Sequence, residues 1–389
     1  MSFPLILLVT ALTHVSFKGS KVLMSLFAIE LGANPFLIGM LFAMYSLLPI
    51  FLSVYAGTVS DRYGYRMPMI LGAIGLACGL LLPYALPALP AMFVAVTMMG
   101  TCYIFFVVAV QHLVGSFGEG AERTRNYSLF SVTVGLTALL GPTTAGFCID
   151  SIGHRSTYLV LGVLPLGSVL VLLFLARFLP KAKIQEERRI AGRRVGDLIG
   201  NAPLRRVLIT AGIMETGNEL VNFLLPIYGH SIGLTATQIG MVMGGYALAL
   251  LGVRAAMPLL VRHSSEERVL CASLFVAALV CLGFPLADTF WPMFAMAAGL
   301  GLGLGSGGPL SMVLSYNRSP AGRAGEAIGL RQTLNKTAEV VMPLVYGWLS
   351  TALGMAPVFW LGAALLGSAG WLMHDDVRRI GSAKSAPAD

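Results

Sequence analysis

The sequence predicts an all-α membrane protein of twelve transmembrane helices in two pseudo-symmetric six-helix bundles, and three observations predict it. The 389 residues are 56% hydrophobic and 11% charged, against roughly 25% charged in a soluble domain. Apolar runs of about 20 residues, long enough to cross a hydrocarbon core about 30 Å thick, recur along the whole chain. The sequence also matches itself weakly at a constant offset of 201 residues.

The first span is placed at 3–29. Its apolar start lacks a basic leader and runs straight into His14, Lys18 and Lys21, so no cleavable signal peptide is expected. The other spans of the first half follow at 36–57, 67–86, 90–117, 124–149 and 155–178. Those of the second half fall at 204–231, 235–260, 266–286, 290–317, 324–350 and 354–374. The expected organisation is an N-terminal bundle at 1–178, a basic cytoplasmic linker at 179–203, a C-terminal bundle at 204–376 and a cytoplasmic tail at 377–389. The five cysteines (Cys78, Cys102, Cys148, Cys271, Cys281) fall within spans without CxxC or metal-ligand spacing, so they read as packing residues and no metal or cofactor is expected.

A net charge of +8 could indicate a nucleic-acid partner, but the distribution of the cations excludes it. Twelve spans put both termini on one side, and 20 Lys and Arg residues lie on that side, whereas the opposite loops hold Arg155 alone. The positive-inside rule makes the termini cytoplasmic, in a bacterial-type inner membrane.

The self-match runs without gaps from the second span to the eleventh. Gly32, Ile38, Gly39, Met40 and Tyr45 fall on Gly233, Ile239, Gly240, Met241 and Tyr246; farther on, Pro142 falls on Pro343 and Gly146 on Gly347. Coincident Gly, Pro and Tyr at one register indicate a duplicated six-span unit, as in transporters built from parallel repeats.

After the second span the chain reads Gly57-Thr58-Val59-Ser60-Asp61-Arg62-Tyr63-Gly64-Tyr65-Arg66. This resembles the GxxxDRxGRR signature of the major facilitator superfamily, with Tyr65 replacing the first of the last two basic residues. With twelve spans, a duplicated half and a basic middle loop, the resemblance covers essentially the whole chain. It implies the major facilitator fold and a cytoplasmic gate of Gly57, Asp61, Arg62, Gly64, Arg66 and Glu326. In that gate Asp61 docks on the positive N-terminal end of the eleventh span, Gly57 permits close helix approach, and Glu326 is a candidate partner for Arg66. In the second half the aligned positions are Pro258, Arg262 and His263, so the symmetry-related latch has decayed. In the fifth span Gly141-Pro142-Thr143-Thr144-Ala145-Gly146 partly resembles the antiporter signature of drug exporters in this superfamily. Thr137 replaces an earlier glycine of that signature, and the fourth-span arginine of such exporters is missing.

Ionisable groups within spans are costly and need a partner or a wet cavity. His14, Lys18 and Lys21 share one face of the first span, extended by Ser25, and Glu215, Asn218, Glu219 and Asn222 make a similar stripe on the seventh. The repeat offset sets Glu215 opposite His14 and Glu219 opposite Lys18. Both spans line the central cavity in the family that the chain resembles, which would bring base and acid together at a substrate site; a permanent Lys18–Glu219 ion pair between the halves is the structural alternative. His14 reads either as a proton sensor or as a packing histidine. On the eleventh span Arg331, Asn335 and Glu339 share a face, with Gln332 and Lys336 beside it; Arg254 reads as a snorkelling cation and Gln111 and His112 as low-lying polar residues. In the tenth span Gly303 to Gly308 spells GxGxxG without a strand before it. The ladders Gly299-Gly303-Gly307 and Gly301-Gly305 predict close helix packing instead of nucleotide binding.

No Walker A, HExxH or partnered GxSxG motif occurs, so neither ATP-driven pumping nor an enzyme activity is expected. The expected function is secondary active, proton-coupled, alternating-access transport of a small organic anionic or zwitterionic solute, leaning to efflux by antiport. His14, Lys18, Lys21, Asn218, Asn222, Arg331 and Lys336 are expected to bind the solute, and Glu215, Glu219 and Glu339 to carry protons. The alternatives are a proton symporter importing an organic acid or acid-bearing chelate, and a lipid transporter or transport-inactive sensor. The expected partners are the solute, protons and the lipid bilayer, with the protein acting as a monomer.

Overall fold

The computed structural model describes residues 2–115, 121–174, 198, 200–320 and 324–385. In chain order the helices are α1 (Ser2–Glu30), α2 (Pro35–Tyr63), α3 (Arg66–Ala85), α4 (Leu89–Gly115) and α5 (Ala121–Phe174). They continue with α6 (Ala202–Ser231), α7 (Ala236–His263), α8 (Glu266–Gly283), α9 (Phe290–Leu304), α10 (Gly307–Asn317), α11 (Ala324–Leu353) and α12 (Ala356–Ser385). A 3-10 turn at Phe284–Leu286 follows α8, and no strand occurs among the described residues.

Nine segments of the described residues are long and apolar enough to cross a membrane. One of them, Leu129–Phe174, holds the fifth and sixth spans together, because helical backbone resumes on both sides of Gly153. Helices α6 and α11, 30 residues each, fall outside the nine. They carry the charged stripes of Glu215 and Glu219 and of Arg331, Lys336 and Glu339, which lower their hydropathy without shortening them. Counting the two arms of α5 separately and adding α6 and α11 gives the twelve crossings expected. Phe51, Trp291 and Phe174 leave 73%, 74% and 82% of their surface exposed. Such apolar side chains on long helices face lipid tails.

The duplication is visible in the backbone. Left-handed glycines occur at Gly32 (φ 81) and Gly233 (φ 82), and again at Gly153 (φ 80) and Gly354 (φ 86). Each pair is 201 residues apart, each member closes the same turn of its half, and a side chain at such an angle would be strained.

Three boundaries differ from the sequence reading. The tenth span is broken into α9 and α10 around Gly305–Ser306, where the glycine run lowers helix propensity. Helix α12 continues to Ser385, so most of the segment expected as a tail is helical. Helix α2 runs on to Tyr63, and the turn closes at Gly64 (φ 77), which places Asp61 on the helix backbone and not in the loop.

The chain clusters into two compact units, Met1–Arg188 with Leu225–Gly244, and Arg189–Leu224 with Gly245–Asp389. In the first, Ile6, Val9, Met69, Ala73, Phe106, Leu113 and Leu172 form a core shared by α1, α3, α4 and α5. In the second, Leu204 and Leu208 of α6 pack on Ala327 of α11. The expected helix packing through the glycine ladders is present there. A Cβ added at Gly303 would lie 2.8 Å from the main-chain nitrogen of Ala277 in α8, and one at Gly305 would lie 2.9 Å from Cβ of Val253 in α7.

Candidate functional site

In the first unit α1 presents its polar residues as a stripe, but their surroundings differ. His14 is 4% exposed, its Nδ1 lies 3.0 Å from the Thr10 carbonyl, and its ring meets Tyr103 and Phe106 edge-on. That enclosure leaves the ring surrounded by protein, with aromatic neighbours from α4. Lys21 is also buried, with its ammonium 5.6 Å from the Phe42 ring centre and 5.9 Å from that of Tyr45. An aromatic face partly offsets the cost of a desolvated cation. Lys18 is half-buried, and its Cβ abuts Gly141 of α5. Phe17 stacks on Tyr103 at 3.6 Å between ring centres and meets Tyr45 edge-on. Sequence reasoning overlooked this aromatic wall because apolar rings in a span read as packing.

In the second unit α6 uses its two asparagines to hold its two acids. Asn218 Nδ2 donates to Glu215 Oε2 and Asn222 Nδ2 to Glu219 Oε1, each at 3.3 Å. The spacing of three residues puts each pair on one face. Both amides were expected to bind solute; here their donors are turned to the carboxylates. Tyr246 of α7 donates to Asn218 Oδ1 at 2.6 Å, which fixes the amide so that its NH2 end faces Glu215. Tyr246 was not among the expected site residues, although its match with Tyr45 in the repeat was a signal for it.

Helix α11 supplies the rest. Lys336 Nζ lies 2.6 and 2.8 Å from the two oxygens of Glu339. The sequence had placed the two on neighbouring faces with separate duties, but one helical turn brings their long side chains together. Glu215 is within electrostatic reach of Glu339, Glu219 and Lys336, so α6 and α11 share one cluster of acids and a base. Arg331, 8% exposed, donates from Nη1 to Ser311 Oγ at 3.1 Å, while its Nε is buried without a hydrogen-bond partner among the described residues. The Asn335 side-chain oxygen is likewise buried without a hydrogen-bond partner among the described residues. Arg254 of α7 is exposed and approaches Gly308.

At the expected cytoplasmic gate, Arg62 is exposed over the Tyr63 ring at 5.4 Å, and Arg66 buries its Nε. The side chains of Asp61 and Glu326 lie outside the described residues. No described atom comes within 4 Å of a Cβ built on Gly57, so the described residues make no close helix approach there. His112 Nδ1 is 3.4 Å from Ser60 Oγ.

A charge network that sequence reading missed joins four helices at one end of the second unit. Arg206 of α6 donates to Asp375 at 3.1 Å and Asp376 at 2.6 Å, and Arg318, just after α10, bonds Asp376 and Glu267. Glu267 stands 201 residues after Arg66, so this half has an acid where the first half has the last base of its motif.

The glycines of the fifth-span motif are packing surfaces. A Cβ on Gly141 would lie 2.9 Å from the Gly19 nitrogen of α1, and one on Gly240 of α7 would lie 2.6 Å from the Pro142 carbonyl.

Comparisons with known proteins agree with this architecture. The family model described as Major Facilitator Superfamily matches residues 6–214 and 207–388. A multidrug resistance protein, MdtG, of Dickeya zeae is 23% identical over 349 residues, covering 84% of this chain and 81% of that protein. The quinolone resistance protein NorA of Staphylococcus aureus is 19% identical over 342 residues, with 87% of each chain covered. A crystal structure of the peptide transporter POT in complex with sulfate superposes with a TM-score of 0.80 at 13% identity, covering 98% of this chain and 95% of that one.

Proposed function

The chain belongs to the major facilitator superfamily, and from that premise we propose that this multi-pass membrane transporter is a proton-coupled antiporter that exports a small zwitterionic organic solute. The carrying observation is the cluster of Glu215, Glu339 and Lys336 on α6 and α11, with the spare donor of Arg331 nearby. Carboxyls in a poorly solvated site cannot stay ionised without a cation, so each holds a proton, a lysine or the basic group of a solute. A solute amine that takes Glu215 displaces a proton, and its acidic group has Arg331 Nε–H as a donor. Proton and solute then exclude one another, which is the condition for exchange. Lys18 and Lys21 are assigned to the acidic group during passage. The names of the drug-resistance relatives and the partial antiporter signature support the outward direction.

A second reading is favoured by the Lys336–Glu339 pair specifically. An anion that captures Lys336 would release Glu339 to take up a proton, so that solute and proton travel together and an organic acid is imported. Proteoliposomes loaded with a pH dye and given a panel of organic acids, zwitterions and cationic drugs separate the two by the sign of the proton movement. Solute entry that drives protons out supports antiport; entry that carries protons in supports symport. Solute flux without proton movement rejects both.

A further inference from the structure

Helix α7 begins with a reciprocal cap. Thr235 N donates to Gln238 Oε1 at 3.0 Å, and Gln238 N donates to Thr235 Oγ1 at 3.2 Å. A capping box of this kind settles the donors at the cap and at the third helical position, and leaves those of the first two positions without partners inside the helix. Both of these are taken by one side chain from a distant part of the chain. Asp150 Oδ1 accepts from Ala236 N at 3.1 Å and Oδ2 from Thr237 N at 2.7 Å. The carboxylate also lies at the positive end of the helix dipole, where a negative charge is stabilised.

Two more features make this a built contact. The main chains of α5 and α7 touch beside it: a Cβ on Gly146 would collide with the Ala236 carbonyl, and Thr237 Oγ1 donates to the Gly146 carbonyl at 3.4 Å. The turn that carries Asp150 is anchored from behind, by His154 to Glu30 at 2.6 Å and by Arg155 Nε to the Tyr84 carbonyl at 2.7 Å. By sequence α7 belongs to the second repeat, yet its start, through Gly244, clusters with the first compact unit. The repeat-related site lacks the device. Helix α2 is capped by Asn34 and has Pro35, which has no N–H, at its first position, and Thr351 occupies the place that matches Asp150.

From these relations we infer that Asp150 is the latch of the extracytoplasmic gate: it holds the ends of α5 and α7 together while that side is closed and releases them when it opens. The inference rests on the alternating-access reading but not on the identity of the solute or on proton coupling. Its partner is main chain, so the contact has one adjustable member, the carboxylate.

The test is a spin-label pair at Ile152→Cys and Met241→Cys, both exposed positions, in protein whose five native cysteines are replaced by serine, with distances measured by pulsed electron resonance. Asp150→Ala is expected to raise the population with the two ends apart by about fivefold, the effect of losing one helix cap. Asp150→Asn, which keeps one good acceptor and loses the charge, is expected to fall between. Ala236→Pro removes a donor from the other side of the contact, at a position where proline suits a helix, and is expected to shift the population in the same direction. Unchanged distances in all three variants overturn the latch, and so does a shift with Asp150→Ala that Ala236→Pro does not share. A shift in the distances beside a wild type that moves no protons would uphold the latch while rejecting the coupling proposed above.

Discussion

Gly301 of α9 rests on the main-chain carbonyl of Tyr246 in α7, so closely that a Cβ would collide with that oxygen. The same contact, between Gly100 and the carbonyl of Tyr45, occurs 201 residues earlier in the first half. Gly301→Ala must push α9 and α7 apart, and overpacking of this kind costs about 1–3 kcal/mol. The expected outcome is a lower midpoint of thermal unfolding in detergent. Gly252→Ala, on α7 where no described atom lies within 4 Å of the new Cβ, is the control and is expected to leave the midpoint unchanged or slightly raised.

That pair shows why the fold was legible and much of the site was not. Span positions follow from length and hydropathy, and the duplication follows from Gly, Pro and Tyr at one register, because those residues mark backbone contacts that every copy of the unit must repeat. The charged stripes of α1 and α6 were legible for the same reason: helical spacing alone puts His14 with Lys18 and Glu215 with Asn218. Partners from other helices were not. Nothing local tells that Tyr246 reaches Asn218, that Arg331 reaches Ser311, or that Asp150 caps a helix 86 residues away. The enclosure of His14 by Tyr103 and Phe106 likewise depends on α4, which a single-helix pattern does not see.

Asp376 accepts from both Arg206 and Arg318 with its side chain 9% exposed, so it is the shared anion of the network at the end of the second unit. Asp376→Ala leaves Arg206 with Asp375 and Arg318 with Glu267 as the carboxylate partners described. A loss of about 1–3 kcal/mol is expected, since each partly buried guanidinium loses one charge-assisted hydrogen bond and keeps another. Thermal unfolding followed by fluorescence reads this, and Asp375→Ala, the more exposed of the two acids, is expected to cost less than half as much.

Tyr246→Phe removes the hydroxyl that orients Asn218 and leaves the ring in place. The freed amide can rotate, and Glu215 then loses a fixed donor worth about 1 kcal/mol. The expected result is about a fivefold weaker apparent affinity for a solute amine at Glu215, with protein yield and thermal midpoint near wild type. Initial rates of solute-driven proton movement against solute concentration check this: an unchanged half-saturation would make the Tyr246 contact purely structural.

Lys336 and Glu339 form a pair of unequal depth, with 40% of the lysine side chain exposed and 17% of the glutamate. Glu339→Gln leaves the ammonium able to turn toward the accessible side, whereas Lys336→Gln leaves a deeper carboxylate within electrostatic reach of Glu215. Like charges crowded in a poorly solvated site repel, so Lys336→Gln is expected to be the more damaging single change, lowering the thermal midpoint and abolishing coupled transport. The double variant Lys336→Gln/Glu339→Gln removes both charges and is expected to recover most of the stability, because a buried pair contributes little net once desolvation is counted. Transport separates the two proposed cycles. If Glu215 alone exchanges protons for solute, the double variant retains proton-coupled exchange at a reduced rate. If the lysine–glutamate pair couples anion to proton, the double variant is stable and still moves no protons with its solute.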